Sequence, residues 1–291
     1  MRNIFAKLGV FLEMIKFEHS IFALPFAYLG LFFAEKQVPS AFLVIWITIA
    51  MVSFRTMAMA LNRLLDRALD AENPRTQNRA LPQKELRTGF VWTAAVLSWL
   101  IFEGSAWKLG PLCFWLSPVP VVLAWIYPLT KRFTWLSHFI LGLVLGIAPY
   151  GAWIASRQDF GWAPAFLTAG VTFWVAGFDM IYALQDIDFD MNHGLFSFPA
   201  RFGIAATLKL TRLLHAASVL CWLVAGLLAG MGLCYWTGLA IVAWFLVREH
   251  QLVRSFGVAR INEAFFLMNA VVSITLFLAT VFDITLKGSV L

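Results

Sequence analysis

Residues 213–247 read LLHAASVLCWLVAGLLAGMGLCYWTGLAIVAWFLV, 35 consecutive positions without a lysine, arginine, aspartate or glutamate. As a single helix rising ~1.5 Å per residue, the stretch would run more than ~50 Å, far beyond the ~30 Å hydrocarbon core of a bilayer. It must therefore fold back, and Gly230-Met231-Gly232 is the expected turn. Working outward, apolar runs long enough to span lie near 14–34, 40–66, 88–107, 111–130, 135–156, 162–186, 204–229, 232–249 and 263–285. The expected fold class is all-α, a polytopic membrane protein of nine transmembrane helices. Composition agrees: 61% of the 291 residues are hydrophobic and 13% charged, against about 45–50% and 25% in a soluble domain. No separate soluble domain fits beside the spans, so 1–291 reads as one transmembrane domain. Pro25, Pro120 and Pro149 are expected to kink or break the first, fourth and fifth spans.

Nine spans put the two ends of the chain on opposite faces, and the 22 Lys and Arg can then be sorted by side. Seventeen fall on the face that holds the N-terminus and the connections after spans 2, 4, 6 and 8. Four, Lys36, Lys108, Arg157 and Lys287, fall on the other, and Arg55 lies inside the second span. The positive-inside rule makes the first face cytoplasmic. The net charge of +6 is thus a membrane-surface signature, and nothing resembles a nucleic-acid patch. Residues 1–16 carry mixed charge and no small-residue cleavage site, so the first apolar run reads as a retained span and not a signal peptide. Cys113, Cys221 and Cys234 lie in apolar runs without CxxC or Cys/His spacing, which argues against a disulfide framework or a zinc site.

Carboxylates at the ends of membrane helices are costly unless paired, hydrated or bound to metal. Two clusters stand out. In Asn62-Arg63-Leu64-Leu65-Asp66-Arg67-Ala68-Leu69-Asp70, the spacing of four aligns Asn62, Asp66 and Asp70 on one helix face. In Asp186-Ile187-Asp188-Phe189-Asp190, Asp186 and Asp190 share a face in the same way. Both clusters fall at the cytoplasmic ends of even-numbered spans. Hard oxygen ligands from two facing helices suit Mg²⁺, which commonly bridges one or two carboxylates to substrate phosphates. A diphosphate is the natural third party. The plainer alternative is that these acids are solvated or paired with Arg63, Arg67 and Arg75.

The first cluster is followed by Asn78-Arg79-Ala80-Leu81-Pro82, and the second by Gly194-Leu195-Phe196-Ser197-Phe198-Pro199-Ala200-Arg201-Phe202-Gly203. With Tyr127-Pro128-Leu129-Thr130-Lys131-Arg132 after the fourth span, these segments resemble the UbiA family of membrane prenyltransferases over nearly the whole chain. The likeness is greatest to the bacterial 4-hydroxybenzoate polyprenyltransferases, and the futalosine-route menaquinone prenyltransferases look similar. Such a resemblance implies helices bundled around a central cavity that opens laterally to lipid and is capped by the loops after spans 2 and 6. Asn62, Asp66, Asp70, Asp186 and Asp190 are then the expected Mg²⁺ ligands, with the four aspartates catalytic. One departure is Arg63, where many relatives carry a further aspartate.

Lys131 and Arg132 sit on the same membrane face as both clusters and suit phosphate oxygens; Arg79 and Arg201 could close over a diphosphate from the two loops. Arg55 lies seven residues before Asn62, and Asp179 seven before Asp186. At that depth they read either as a buried ion pair or as a polar floor that orients an aromatic acceptor. With Asn62 and Tyr182 these residues complete the candidate substrate-binding set. His19, beside Lys16 and Glu18, reads as interfacial more readily than as a pocket residue. Tryptophan and phenylalanine are expected mostly at lipid and interfacial belts.

The reaction expected is Mg²⁺-dependent transfer of a polyprenyl group from its diphosphate to a ring carbon of a hydroxylated aromatic acid. A dihydroxynaphthoate acceptor is the alternative, and the ring proton is left open between Asp188, released diphosphate and water. The expected location is the bacterial cytoplasmic membrane, with the bilayer as the third partner. A secondary transporter would instead show inverted repeats with helices broken at the midplane. A CDP-alcohol phosphotransferase would need glycine and arginine within the aspartate motif, a pattern neither cluster supplies.

Overall fold

The computed structural model describes residues 4–17, 20–256 and 261–288, and among them every regular element is a helix. In chain order these are α1 (Ile4–Met14), α2 (Ser20–Glu35), α3 (Ala41–Leu65), α4 (Arg67–Glu72), α5 (Thr88–Leu109), α6 (Pro111–Leu116), α7 (Pro118–Thr130), α8 (Ser137–Arg157), α9 (Trp162–Ala183), α10 (Ile187–Asn192), α11 (Phe198–Leu228), α12 (Leu233–Phe256) and α13 (Ile261–Gly288). Seven described segments are long and apolar enough to cross a membrane. The other two expected spans are helical as well: α2, and α12, whose last turns carry Arg248, Glu249 and Arg254. Glu18 and His19 lie outside the described residues.

The long uncharged stretch does fold back at its glycines. α11 stops at Leu228, and Gly230 takes a left-handed φ of 61° that a side chain would disfavour. Lys287 Nζ donates to the Gly230 carbonyl at 2.7 Å and Gly232 N–H donates to Asp283 Oδ2 at 2.6 Å, so α13 satisfies the turn's backbone groups. The fourth span breaks at Ser117, before Pro118, and not at the expected Pro120, because a proline takes the first turn of a helix most readily. Pro25 and Pro149 remain inside α2 and α8.

Packing forms two main halves. Phe26, Leu29, Phe33, Leu167, Trp174, Trp222, Tyr235 and Leu276 build a core between α2, α9, α11, α12 and α13. Phe11, Met57, Leu61, Val91 and Ala124 build another from α1, α3, α5 and α7. Helix α8 joins α9 by backbone approach: a Cβ at Gly142 would lie 2.3 Å from the Thr172 carbonyl oxygen, and one at Gly146 2.3 Å from Thr172 Oγ1. Small residues at such crossings are how membrane helices gain contact without a hydrophobic driving force. Trp107, Trp115, Trp162 and Trp244 face outward as expected of a lipid-facing belt, whereas Trp174 and Trp222 are buried. A cavity of about 1340 Å³ lies between the halves, walled by α3, α5, α7, α8 and α9.

Candidate active site

Both acidic clusters are built on the same backbone device. A long apolar helix ends, an aspartate takes a bridge conformation, and a six-residue helix follows. Asp66 has φ −93° and ψ 3° between α3 and α4; Asp186 has φ −108° and ψ 9° between the single 3₁₀ turn after α9 and α10. The long helices thus stop where the expected spans end, near 66 and 186, but the continuous helical face expected from Asn62 to Asp70 and from Asp186 to Asp190 is interrupted by a turn and a second, short helix. This sparsely populated region of backbone space is where active-site residues often sit. The four-residue register survives the first break, since Asp66 N–H bonds the Asn62 carbonyl at 3.0 Å and Asp70 N–H the Asp66 carbonyl at 2.8 Å. Asn62, Asp66, Asp70, Asp186 and Asp190 consequently all line the one cavity.

Their partners differ. Asn62 Nδ2 donates to Asp66 Oδ2 at 3.3 Å, while Lys131 Nζ and Arg132 Nη2 stand 3.5 Å from the two Asp66 oxygens. Asp66 is 4% exposed, and its Oδ1 has no hydrogen-bond partner. Burial pushes the Asp66 carboxyl above the usual range, Lys131 pulls it back and Asp70 pushes it further. Asp70 accepts from Arg79 Nη1 at 2.7 Å. Asp186 is held by Arg75 through Nε at 2.9 Å and Nη2 at 2.5 Å, and by Asn73 Nδ2 at 3.1 Å; Arg75 Nη1 also donates to Tyr182 Oη at 3.2 Å. The loop after α4 thus reaches across to the second cluster. The loop after α10 reaches back, with Phe196 N–H donating to the Lys131 carbonyl at 2.7 Å.

Among the described residues, no three acidic, histidine or cysteine side chains converge on a point where they could jointly hold an ion. The donor set is nonetheless all oxygen, and Asp66 Oδ1 is a buried acceptor with Arg132 at ion-pair distance but no hydrogen bond. Such a set would fit Mg²⁺ held by one or two carboxylates, the hard-oxygen ligands that this ion takes beside substrate phosphates.

Arg55, Arg79, Lys131, Asp179 and Tyr182 line the same cavity. The Arg55–Asp179 ion pair does not form among the described residues. Asp179 Oδ2 lies 2.7 Å from His138 Nδ1, and Arg55 Nη1 donates to the Ile15 carbonyl at 3.3 Å. His138 Nε2 accepts from Phe198 N–H at 3.3 Å, which leaves the ring proton on Nδ1 to be donated to Asp179. Equal sequence offsets matched the depths of Arg55 and Asp179 but said nothing of the histidine on a third helix. Arg201 is exposed on α11 with its guanidinium over the Phe202 ring, and Asp188 is exposed; neither lines the cavity. Arg132 pairs with Asp66 from outside the lining. Asn73 and His138 were not singled out. Asn73 carried a usable signal, its place in the loop directly after the first cluster. His138 carried none, because its partners are 41 and 60 residues away.

Residues 23–271 match the UbiA prenyltransferase family. The chain is 29% identical over 253 residues to a 4-hydroxybenzoate octaprenyltransferase of Shewanella woodyi, covering 85% of this chain and 87% of that one. It is 30% identical over 224 residues to the 4-hydroxybenzoate octaprenyltransferase of Serratia proteamaculans, covering 77% of each. Among solved structures, a UbiA homolog from Aeropyrum pernix K1 superposes with a TM-score of 0.84 at 31% identity, over 91% of this chain and 98% of that one. A UbiA homolog from Archaeoglobus fulgidus bound to DMAPP and Mg²⁺ shares the fold at a TM-score of 0.72 and 16% identity, over 94% and 99% of the two chains. By match, fold and the pairing of two aspartate clusters across one cavity, the chain belongs to the UbiA prenyltransferase family.

Proposed function

We propose that this membrane prenyltransferase moves a polyprenyl group from its diphosphate to a ring carbon of a hydroxylated aromatic acid of the 4-hydroxybenzoate type. One observation carries the reading. A single cavity has buried carboxylates and cations at one end and, beyond Phe54 and Phe102, a wall of Ile47, Leu109, Cys113 and Ala148. A donor with an anionic head and an apolar tail matches that polarity along its length. The relatives named above support the acceptor class, and the bound DMAPP and Mg²⁺ of the Archaeoglobus fulgidus protein support the donor class and the metal.

Asp66, Asp70, Asp186 and Asp190, with Asn62, would supply the ligands for Mg²⁺, no more than one or two carboxylates to an ion, and the metal when bound supplies positive charge against the diphosphate. Lys131, Arg79 and Arg75 stand beside those acids and would hold phosphate oxygens by charge-assisted hydrogen bonds. Fixed positive groups at that end favour the moment at which the carbon–oxygen bond breaks and its electron pair leaves with the diphosphate. The apolar walls keep water from the allylic cation. Ring electrons then form the new carbon–carbon bond, and loss of the ring proton restores aromaticity. Asp188 lies outside the cavity, which leaves departing diphosphate and water as the proton acceptors. Arg55 and the His138-held Asp179, deeper in the cavity, would orient the acceptor. We place the acidic end on the cytoplasmic face of the bacterial membrane, which 17 of the 22 Lys and Arg flank.

The test incubates the purified protein with octaprenyl diphosphate and either 4-hydroxybenzoate or a dihydroxynaphthoate, with Mg²⁺ or with EDTA. Prenylated benzoate formed with Mg²⁺ and abolished by EDTA is expected. Product from the naphthoate alone would move the assignment to that acceptor, and transfer in EDTA would end the metal-dependent reading.

A further inference from the structure

Gly151 is the one glycine among the described residues that line the cavity. It lies within α8, two residues after Pro149, on a different face from Gly142 and Gly146. Those two are required, because any side chain would strike the α9 backbone or Thr172. At Gly151 the reverse holds: a Cβ would meet nothing within 4 Å, and φ is not positive. Neither packing nor backbone conformation asks for glycine there, and glycine weakens a helix relative to alanine or leucine. What the missing side chain leaves is room inside the cavity.

The position of that room gives it meaning. Along α3 the cavity is lined from Asp66 back to Ile47, a rise of ~28 Å, and along α8 from Ser137 to beyond Gly151, ~21 Å. Gly151 therefore stands near the end remote from the acids, in a neighbourhood walled by Ala148, Ala152, Tyr150 and Phe160. A prenyl chain whose diphosphate is fixed at Asp66 and Asp186 reaches this level only if it has enough isoprene units. We infer that Gly151 is a specificity-determining residue for donor length: the open volume above its Cα admits the distal units of long prenyl tails. The inference rests on the prenyl-transfer reading above and adds to it the path of the tail, along α8 toward the end of the cavity remote from the acids.

The experiment compares wild type with Gly151→Ala, Gly151→Leu and Gly151→Phe on geranyl diphosphate and on octaprenyl diphosphate, with the same acceptor and the same detergent preparation. For Gly151→Leu and Gly151→Phe, kcat/KM on the octaprenyl donor should fall about tenfold or more, while the geranyl value stays within about twofold, since a side chain there fills space that only the long tail uses. Gly151→Ala should fall between, and its Tm should equal or exceed that of wild type, because a better helix former enters open space. Retained geranyl activity in the same sample shows that the variant is folded. If both donors lose equally, or neither loses, the tail does not pass Gly151 and the inference fails while prenyl transfer stands. If wild type transfers neither donor to either acceptor, the functional reading fails first and takes this one with it.

Discussion

The two acidic clusters follow one backbone plan and are neutralised in opposite ways. Asp66 and Asp186 occupy equivalent bridge conformations, each ahead of a six-residue helix that carries a second aspartate four positions on. Asp186 is gripped by both forks of Arg75 and by Asn73. Asp66 has its cations at 3.5 Å, an amide at 3.3 Å and one buried oxygen without a hydrogen bond. A buried acceptor left unsatisfied costs free energy that an arriving cation recovers, whereas a satisfied one must first give up its partner. The difference teaches that matched motifs need not be matched binding sites. Asp66 is poised to accept a cation, whereas Asp186 has to exchange Arg75 for one, as Asp70 has to exchange Arg79.

The largest effect that tests this comparison is loss of the carboxylates themselves. Asp66→Ala and Asp186→Ala should each lower kcat by at least about 100-fold in folded protein, because each removes charge used mainly as the diphosphate departs. The comparison sharpens with the asparagine variants. Asp66→Asn should raise the half-saturating Mg²⁺ concentration more than Asp186→Asn does, and the reverse order would contradict the unequal roles argued here.

An intermediate effect concerns the cations that stand off from Asp66. Lys131→Ala and Arg132→Ala should raise KM for the prenyl diphosphate by about tenfold, the loss of one charge-assisted contact. KM for the aromatic acid should not move. Lys131 lines the cavity and Arg132 does not, so the larger change is expected at Lys131. A change confined to the acceptor's KM would place the basic pair on the wrong substrate.

The sequence carried the architecture because a bilayer imposes a length rule that apolar runs either meet or fail. The fold-back at Gly230 and the placing of both clusters at one end of the bundle were legible for that reason. The ends of the spans near 66 and 186 were legible too, but the short separate helices that follow them were not, since the hydrogen-bond register continues through the first break and the spacing of the acids is unchanged. Pairing was the least legible layer. In the chain Arg75 is one of several bases near the acids, and equal offset leaves Asp179 open between a pair with Arg55 and a polar floor for the acceptor, when the group that reaches it is His138 at the start of α8. Contacts 41 to 113 residues apart depend on how helices rotate against one another, which composition and periodicity do not encode. Gly151 shows the same limit from the other side: three glycines in α8 look alike in the chain, and only packing separates the two that touch α9 from the one that faces space.

The smallest predicted effect is also the one most able to break the comparison. Arg75 is 29% exposed and stands on Asp186, so it both neutralises that carboxylate and competes with whatever cation the carboxylate is meant to bind. Replacing it by glutamine keeps length and some hydrogen bonding but removes the charge. If Asp186 must exchange its arginine for metal, Arg75→Gln should lower the half-saturating Mg²⁺ concentration by about threefold, since an opposing ion pair near the surface is worth no more than ~1 kcal/mol. The donor's KM should rise a few-fold at the same time, because the displaced guanidinium is then free to hold phosphate and the variant has none. Asp66-dependent behaviour should be untouched, which a double variant with Lys131→Ala checks by additivity of the two donor effects. A higher Mg²⁺ requirement in Arg75→Gln would mean that the arginine orders Asp186 for the metal instead of competing with it, and the two clusters would then be equivalent in function as they are in backbone.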